Sequence, residues 1–209
     1  VIHVYQPGDI LSKGVFTVEP IRVTHSIPDT FHFSISTPIG VFYHGSDFKF
    51  DVFPLDNKPS ELKKIANVGN KKVVALMSDS LGSDHEGYSP SERDIADNFR
   101  RQILEAEGRV FITSISSNII RWSQAIEYGK SAGRKICVVG YSVDKAIKIA
   151  KELGYIKLTD ADMVDVDRVK NFADNKLMFL VAGFAGQPDS ALSKMVMGKH
   201  KIKIKLETR

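Results

Sequence analysis

Residues 135–154, KICVVGYSVDKAIKIAKELG, decide the fold class. The first six, Lys135 to Gly140, form a short apolar run that reads as a strand. From Ser142 the apolar residues return at helical steps: Ala146, Ile147, Ala150 and Leu153 share one face, and Gly154 follows as a stop signal. A strand that passes at once into a helix is half of a βαβ unit. The next apolar run, KLMFLVAG at 176–183, supplies the second, parallel strand through a right-handed crossover. Cys137 lies inside the first run, where a buried and inert thiol is expected.

The same grammar extends outward. RVFITSI (109–115) reads as a strand, SNIIRWSQAIEYGKSAG (117–133) as a helix ended by Gly133, and DSALSKMVMG (189–198) as a short helix. Further upstream, Ser89-Pro90-Ser91-Glu92 reads as a capping box, with Ser89 as N-cap, Pro90 at the first helical position and Glu92 reaching back. It opens a helix whose apolar face is Ile95, Phe99, Ile103 and Ala106, closed by Gly108. KKVVALMSD (71–79) is a continuous apolar run, expected as a strand buried on both faces, and SELKKIANVG (60–69) is a helix before it. Residues 1–55 differ. FHFSIS (31–36) and GVFYHG (40–45) flank the turn Pro38-Ile39-Gly40 and read as a hairpin in a β-rich region. The expected architecture is a β-rich first part followed by a doubly wound parallel α/β part.

Composition narrows the class. The 209 residues suffice for one large domain or two modest ones, and 43% hydrophobic with 26% charged residues is ordinary for a globular chain. No apolar run approaches the ~20 residues of a membrane span, and VIHVYQPGD lacks a signal-peptide layout. A single cysteine excludes an intramolecular disulfide, so a cytosolic, cytoplasmic protein is expected. The net charge of +4 permits a polyanionic partner. In the tail GKHKIKIKLETR, Ile202, Ile204 and Leu206 would face one side of a strand and Lys201, Lys203 and Lys205 a solvated side, a reading preferred to the alternative of a nucleic-acid patch. The chain begins with Val1 and ends on LETR without a capping element, as expected of an excised piece of a longer protein.

In an open α/β sheet, ligands gather outside the carboxyl ends of the strands. Three loops are singled out: Ser78-Asp79-Ser80, Ser114 to Asn118, and Gly183 to Pro188. Serine and asparagine between a strand and a helix make an anion site with the unpaired helix N–H groups, or simply cap the helix. Asp79, flanked by serines, is a candidate acid, base or hydrogen-bond organiser, or else caps a turn. His25, in VTHSIPD, and Asp47, in YHGSDFK, both follow strand-like segments. Imidazole and carboxylate suit zinc or manganese, but two ligands do not make a site, and the other histidines show no HxH or HxxxH pattern.

Taken together, RVTHSIPD (22–29), HGSDFKFD (44–51), LMSDS (76–80), SPSER (89–93), SISSNIIR (114–121), GYI (154–156) and VAGFAGQPDSALSKM (181–195) resemble bacterial RNase J. That family belongs to the β-CASP branch of the metallo-β-lactamase superfamily. The resemblance implies a metal-dependent ribonuclease with 5′-to-3′ exonuclease and endonuclease activity on single-stranded RNA. It implies that residues 1–80 are the later part of a first metallo-β-lactamase segment and that 81–209 are most of a β-CASP domain. It further implies two zinc ions, or manganese, with His25 a ligand and Asp47 bridging the metals. Ser116, Ser117 and Asn118 would grip an RNA phosphate, and Asp79 would be an acidic residue near the cleft. The family's HxHxDH motif, its histidine-bearing phosphate loop and its last metal-binding histidine have no counterpart in the chain. The metal site is therefore expected to be incomplete and the segment alone inactive. Three departures point to a divergent paralogue: Ala182-Gly183-Phe184-Ala185-Gly186-Gln187-Pro188 for the family's Thr-Gly-Ser-Gln-Gly-Glu-Pro, Leu81-Gly82 for Thr-Asn, and Ser116 for Ala. The alternative expectation is a non-catalytic RNA-binding or scaffolding subunit. Either would work as a homo- or hetero-oligomer with a paralogue and without a membrane. A small-molecule hydrolase of the wider superfamily is disfavoured by the inserted α/β domain with its Ser-Ser-Asn loop.

Overall fold

The computed structural model describes residues 4–204. The chain divides into two compact units, Val1–Ile95 and Ala96–Arg209, the division falling inside a helix.

The first unit is built on one five-stranded sheet in the order β1-β2-β3-β4-β5. Its strands are β1 (Leu11–Lys13), β2 (Phe16–Arg22), β3 (Phe31–Thr37), β4 (Gly40–His44) and β5 (Val73–Met77). The first four are antiparallel neighbours, and the expected hairpin is β3–β4, with Thr37 opposite Gly40. Pro20 is tolerated inside β2 because β1 pairs only as far as Val18, so its missing N–H falls where, among the described residues, β2 has a single neighbour. Helix α1 (Leu62–Gly69) follows β4 and lays Ile65 and Val68 on Ile21, Val41 and Tyr43. The chain then returns as β5, parallel to β4.

Strand β5 corrects the reading of KKVVALMSD. It is a strand, but it belongs to this first sheet, and it is not buried on both faces: Leu76 is 67% exposed, and Val73, Val74 and Met77 are exposed as well. The reason is positional. Among the described residues β5 pairs with β4 alone, and a continuous apolar run cannot reveal how many neighbours its strand has.

The second unit is the parallel α/β layer read from 135–154. Its sheet has the order β6-β8-β7, formed by β6 (Val110–Thr113), β7 (Lys135–Val139) and β8 (Leu177–Val181). The last strand in sequence is the middle one in space, and every residue of β8 is buried. Met178 and Leu180 point into a core shared with three helices: α2 (Glu92–Glu105) through Ile103, α3 (Ile119–Ser131) through Trp122, Ala125 and Ile126, and α4 (Tyr141–Glu152) through Val143, Ile147 and Ala150. Leu177, Phe179 and Val181 face the other way, against Cys137, Val164, Val169, Ile202 and Met195 of α5 (Ala191–Val196). Phe179 stacks on Phe111 with ring centroids 4.6 Å apart. Two covered faces explain why β8 reads as an unbroken apolar run. Cys137 is buried and its thiol is pushed up to about 12 by burial, so it is inert as expected.

Three local readings shift. Helix α2 starts at Glu92, and its box is Ser91 with Asp94: the Ser91 hydroxyl accepts the Arg93 N–H at 3.2 Å, and Asp94 accepts the Ser91 N–H at 3.2 Å. Ser89 and Pro90 precede the helix, because two overlapping Ser-x-x-acid frames compete and the second wins. Leu153 is 67% exposed; α4 ends at Glu152, and Ile156 and Leu158 fill the core after the turn. Residues 201–204 are not a strand, although Ile202 is buried and Lys201 and Lys203 are exposed, as the alternation suggested. Lys205 and Leu206 lie outside the described residues. The sequence reading passed over the short 3₁₀ turns at Asp160–Asp162, Val166–Asn171 and Asp174–Lys176, which carry the chain from α4 to β8.

Replacing Phe179 with alanine should cost about 3–5 kcal/mol, since it empties the centre of the sheet. Urea unfolding followed by the fluorescence of Trp122, the single tryptophan, checks this.

Candidate functional site

Strand directions place three of the expected residues at one edge of the first sheet. Arg22 at the end of β2 pairs with Phe31 at the start of β3, Phe33 pairs with His44 at the end of β4, and His44 pairs with Met77 at the end of β5. His25 lies in the loop after β2, Asp47 in the loop after β4 and Asp79 in the loop after β5, so all three leave the same edge.

Thr24 anchors the loop that carries His25. Its N–H donates to the Ser60 hydroxyl at 2.9 Å, its carbonyl accepts the Lys49 N–H at 2.8 Å, and its hydroxyl donates to the Lys49 carbonyl and accepts the Asp51 N–H at 3.0 Å. The backbone before His25 is thereby tied to the segment after Asp47. The loop carrying Asp47 is held in turn by the Ser46 hydroxyl on the Phe31 carbonyl at 2.8 Å and by the Gly45 N–H on the Met77 carbonyl at 2.6 Å. The outcome is convergence: His25 Nε2 lies 3.8 Å from Asp47 Oδ2, with His25 half-buried and the Asp47 side chain 77% exposed.

Two buried groups support this edge. The Asp51 carboxylate accepts the N–H groups of Glu92 at 2.9 Å and Phe53 at 3.0 Å. Burial by itself would raise its pKa, but these N–H groups, the Ser91 hydroxyl and the Lys49 charge outweigh it and hold the carboxyl below its ordinary value. Lys49 also pairs with Glu92 at 3.1 Å. His32 lies beneath the Asp47 loop, edge-on to Tyr43 and Phe48, with Nδ1 3.0 Å from the Tyr43 hydroxyl. Burial, with His44 adding to it, pushes His32 below its ordinary pKa, and burial raises Tyr43 to about 12.

Asp79 Oδ1 accepts the Leu81 N–H at 3.0 Å, an Asx turn just beyond β5. As for a metal, His25 and Asp47 supply one nitrogen and one carboxylate donor, a combination suited to zinc or manganese. Among the described residues, no group of three His, Cys, Asp or Glu side chains converges to hold an ion. The pair by itself falls short of the three protein ligands a hydrolytic zinc needs.

The second sheet has its own loop cluster. Thr113 and Val139 both pair with Val181, so the carboxyl ends of β6, β7 and β8 are level. Ser116, Ser117 and Asn118 follow β6, and residues 182–188 follow β8 in the middle. Asn118 is the N-cap of α3, its Oδ1 accepting the Arg121 N–H at 3.0 Å. The Ser116 carbonyl accepts the indole N–H of Trp122 at 3.1 Å, and Ser117 is exposed. The turn caps the helix and leaves Ser117 exposed. Gly183 is required by packing as well as by its φ of 138°, since a Cβ there would lie 2.6 Å from the Ser190 hydroxyl and 2.7 Å from Leu192 Cβ.

The sequence pointed to His25, Asp47, Asp79 and the Ser-Ser-Asn turn but passed over Thr24, Ser60, His32 and Asp51, which brace the loops of His25 and Asp47. Only the local Asp51-x-Phe53 spacing hinted at a turn. The remaining contacts join residues 11 to 41 positions apart, beyond any local pattern.

Residues 107–208 match the family described as ribonuclease J, beta-CASP domain. The chain is 42% identical over 191 residues to Ribonuclease J of Helicobacter pylori, covering 91% of this chain and 28% of that protein. It is 40% identical to Ribonuclease J of Thermus thermophilus (93% and 34%) and 38% identical to that of Synechocystis sp. (98% and 32%). The chain therefore spans about a third of the length of these relatives. A crystal structure of a protein of unknown function from Enterococcus faecalis shares the fold, with a TM-score of 0.61 and 16% identity, over 88% of this chain and 45% of its own.

Because the folded-state pKa of Asp51 is depressed, its contribution is present above its ordinary pKa of about 3.9 and is lost as pH falls below that value. Asp51→Asn should lower stability at pH 7 by about 1–3 kcal/mol and flatten the acid limb. Thermal unfolding by circular dichroism between pH 3 and pH 7 tests both effects.

Proposed function

The chain belongs to the ribonuclease J family, whose β-CASP domain it carries, and from this premise we propose that it is part of a ribonuclease that hydrolyses RNA phosphodiester bonds with metal ions. The observation that carries this reading is the convergence of His25 and Asp47 to 3.8 Å from separate loops at one sheet edge. His25 would ligate one ion and Asp47 bridge two, zinc or manganese, with the remaining ligands supplied from outside these residues. Such ions, when bound, make a nucleophile of water at neutral pH and stabilise charge on the phosphoryl oxygens. The chain's own contribution is placement. Thr24 and Ser60 hold the His25 backbone, Ser46 and Gly45 hold the Asp47 loop, and the carboxylate of Asp79 organises the turn beside them.

Ser116, Ser117 and Asn118 would take an RNA phosphate at the start of α3, fixing register without reading sequence. Activity from a 5′ end and within the strand, work in the cytoplasm, and assembly with itself or a paralogue are parts of the same proposal. No helix among the described residues is long and apolar enough to cross a membrane. A second reading, an RNA-binding subunit without catalysis, draws on Phe184 and Ala185, apolar residues exposed in the loop after β8.

With a 5′-monophosphorylated single-stranded RNA and zinc or manganese, the 209-residue chain should bind without cleaving. Binding should change the emission of Trp122, whose indole holds the Ser116 carbonyl. Ser117→Ala should weaken binding about tenfold with little loss of stability, the loss expected of one hydrogen bond to a charged group. Asn118→Ala should in addition cost about 1 kcal/mol of stability through its lost cap. Metal-dependent cleavage by this chain, stopped by chelator, would show that its donor set is complete after all. RNA binding that leaves Trp122 unchanged and ignores Ser117→Ala would remove the phosphate assignment.

A further inference from the structure

Tyr141, the first residue of α4, and Phe184, in the loop after β8, stand at the carboxyl edge of β6-β8-β7, and both are exposed, at 81% and 44%. A single exposed aromatic ring is ordinary. Two of them, with Ile115 also exposed, place three exposed apolar side chains at the strand ends that also carry the Ser-Ser-Asn turn, and exposed apolar residues gathered in one region mark interaction surfaces.

The backbones under the two rings abut. The Ala182 N–H donates to the Val139 carbonyl at 2.9 Å, and a Cβ on Gly140 would lie 2.5 Å from Ala182 Cβ. Tyr141 follows Gly140 directly, and Phe184 comes two residues after Ala182, so both leave this tight junction. Phe184 is also presented by a held turn. Gly183 before it is locked under Ser190 and Leu192, Ala185 after it is at φ 56°, and the Ser193 hydroxyl donates to the Gln187 carbonyl at 2.8 Å. A non-glycine residue in the left-handed region costs about 1–2 kcal/mol, which the surrounding contacts must offset. Neither ring reaches the fold's interior, and on α4 exposed Lys145 lies one turn from Tyr141.

We propose that Tyr141 and Phe184 form a base-stacking platform for single-stranded RNA whose phosphate rests on the Ser116–Asn118 turn. This rests on the phosphate reading given under the proposed function and adds the part of the ligand that the turn does not touch. Every nucleobase presents a π-face, so such a platform adds affinity without selecting sequence. The backbones that carry the two rings are already fixed by this junction, so docking a base need not order the main chain.

The test uses the 209-residue chain, a fluorescent 5′-monophosphorylated RNA oligomer, and an abasic ribose-phosphate oligomer of the same length, with binding read by anisotropy. Tyr141→Ala and Phe184→Ala should each weaken RNA binding about tenfold. Tyr141→Phe and Phe184→Tyr should bind as tightly as the parent, and all variants should bind the abasic oligomer alike. Circular dichroism melts confirm that the variants fold. RNA binding that is unchanged in both alanine variants overturns the platform while leaving the phosphate turn standing. An equal loss for RNA and the abasic oligomer also overturns it, because the rings would then act on the backbone. Self-association of the parent that is lost in Tyr141→Ala, with unchanged RNA affinity, would make the patch a contact between copies instead. No RNA binding by the parent removes both the platform and the reading beneath it.

Discussion

The second unit depends on one constraint: strand β8 has parallel neighbours on both edges and packed cover on both faces. All five of its side chains must therefore be apolar and buried, and they are. Parallel pairing forbids tight hairpins, so each strand must be reached by a crossover, and the crossovers supply the cover. The shared partner Val181 brings the ends of β6 and β7 level with that of β8. The Ser-Ser-Asn turn, Gly140 and the loop after β8 become neighbours as a consequence of the core.

The first unit reaches a similar result by other means. Its strands are mostly antiparallel, so the edge carrying His25 and Asp47 gathers loops of different origin, and hydrogen bonds hold them in register. Thr24 is the hub, since its N–H, carbonyl and hydroxyl are all engaged with residues 49–51 and 60. Substituting it would loosen His25 and the Asp47 segment together. Asp51 plays the matching part toward the start of α2, accepting a backbone N–H as a cap would from outside the helix.

Residues whose role is local were legible in the sequence. Asn118 as a helix cap, Cys137 as a buried thiol and the β3–β4 hairpin all follow from short-range chemistry. Where two local frames compete, local chemistry does not choose between them. Ser89 and Ser91 both open a Ser-x-x-acid box, and the Asp51 carboxylate accepting the Glu92 N–H lies at the register that forms. Leu153 fits the helical period of α4 but falls just after the helix ends, and Ile156 and Leu158 take its place in the core.

The sequence by itself determined the type of most helices and strands, though not of the alternating tail, because apolar period, caps and stop signals act within a few residues. It also singled out His25, Asp47 and the Ser116–Asn118 turn, through residue chemistry and the joint motif pattern. Only the tertiary structure decided that β8 is the central strand, that VVALM forms an exposed strand of the first sheet, and that His25 meets Asp47 at 3.8 Å. Strand order, neighbour number and side-chain convergence depend on contacts between residues far apart in the chain. A one-dimensional pattern carries no measure of those distances.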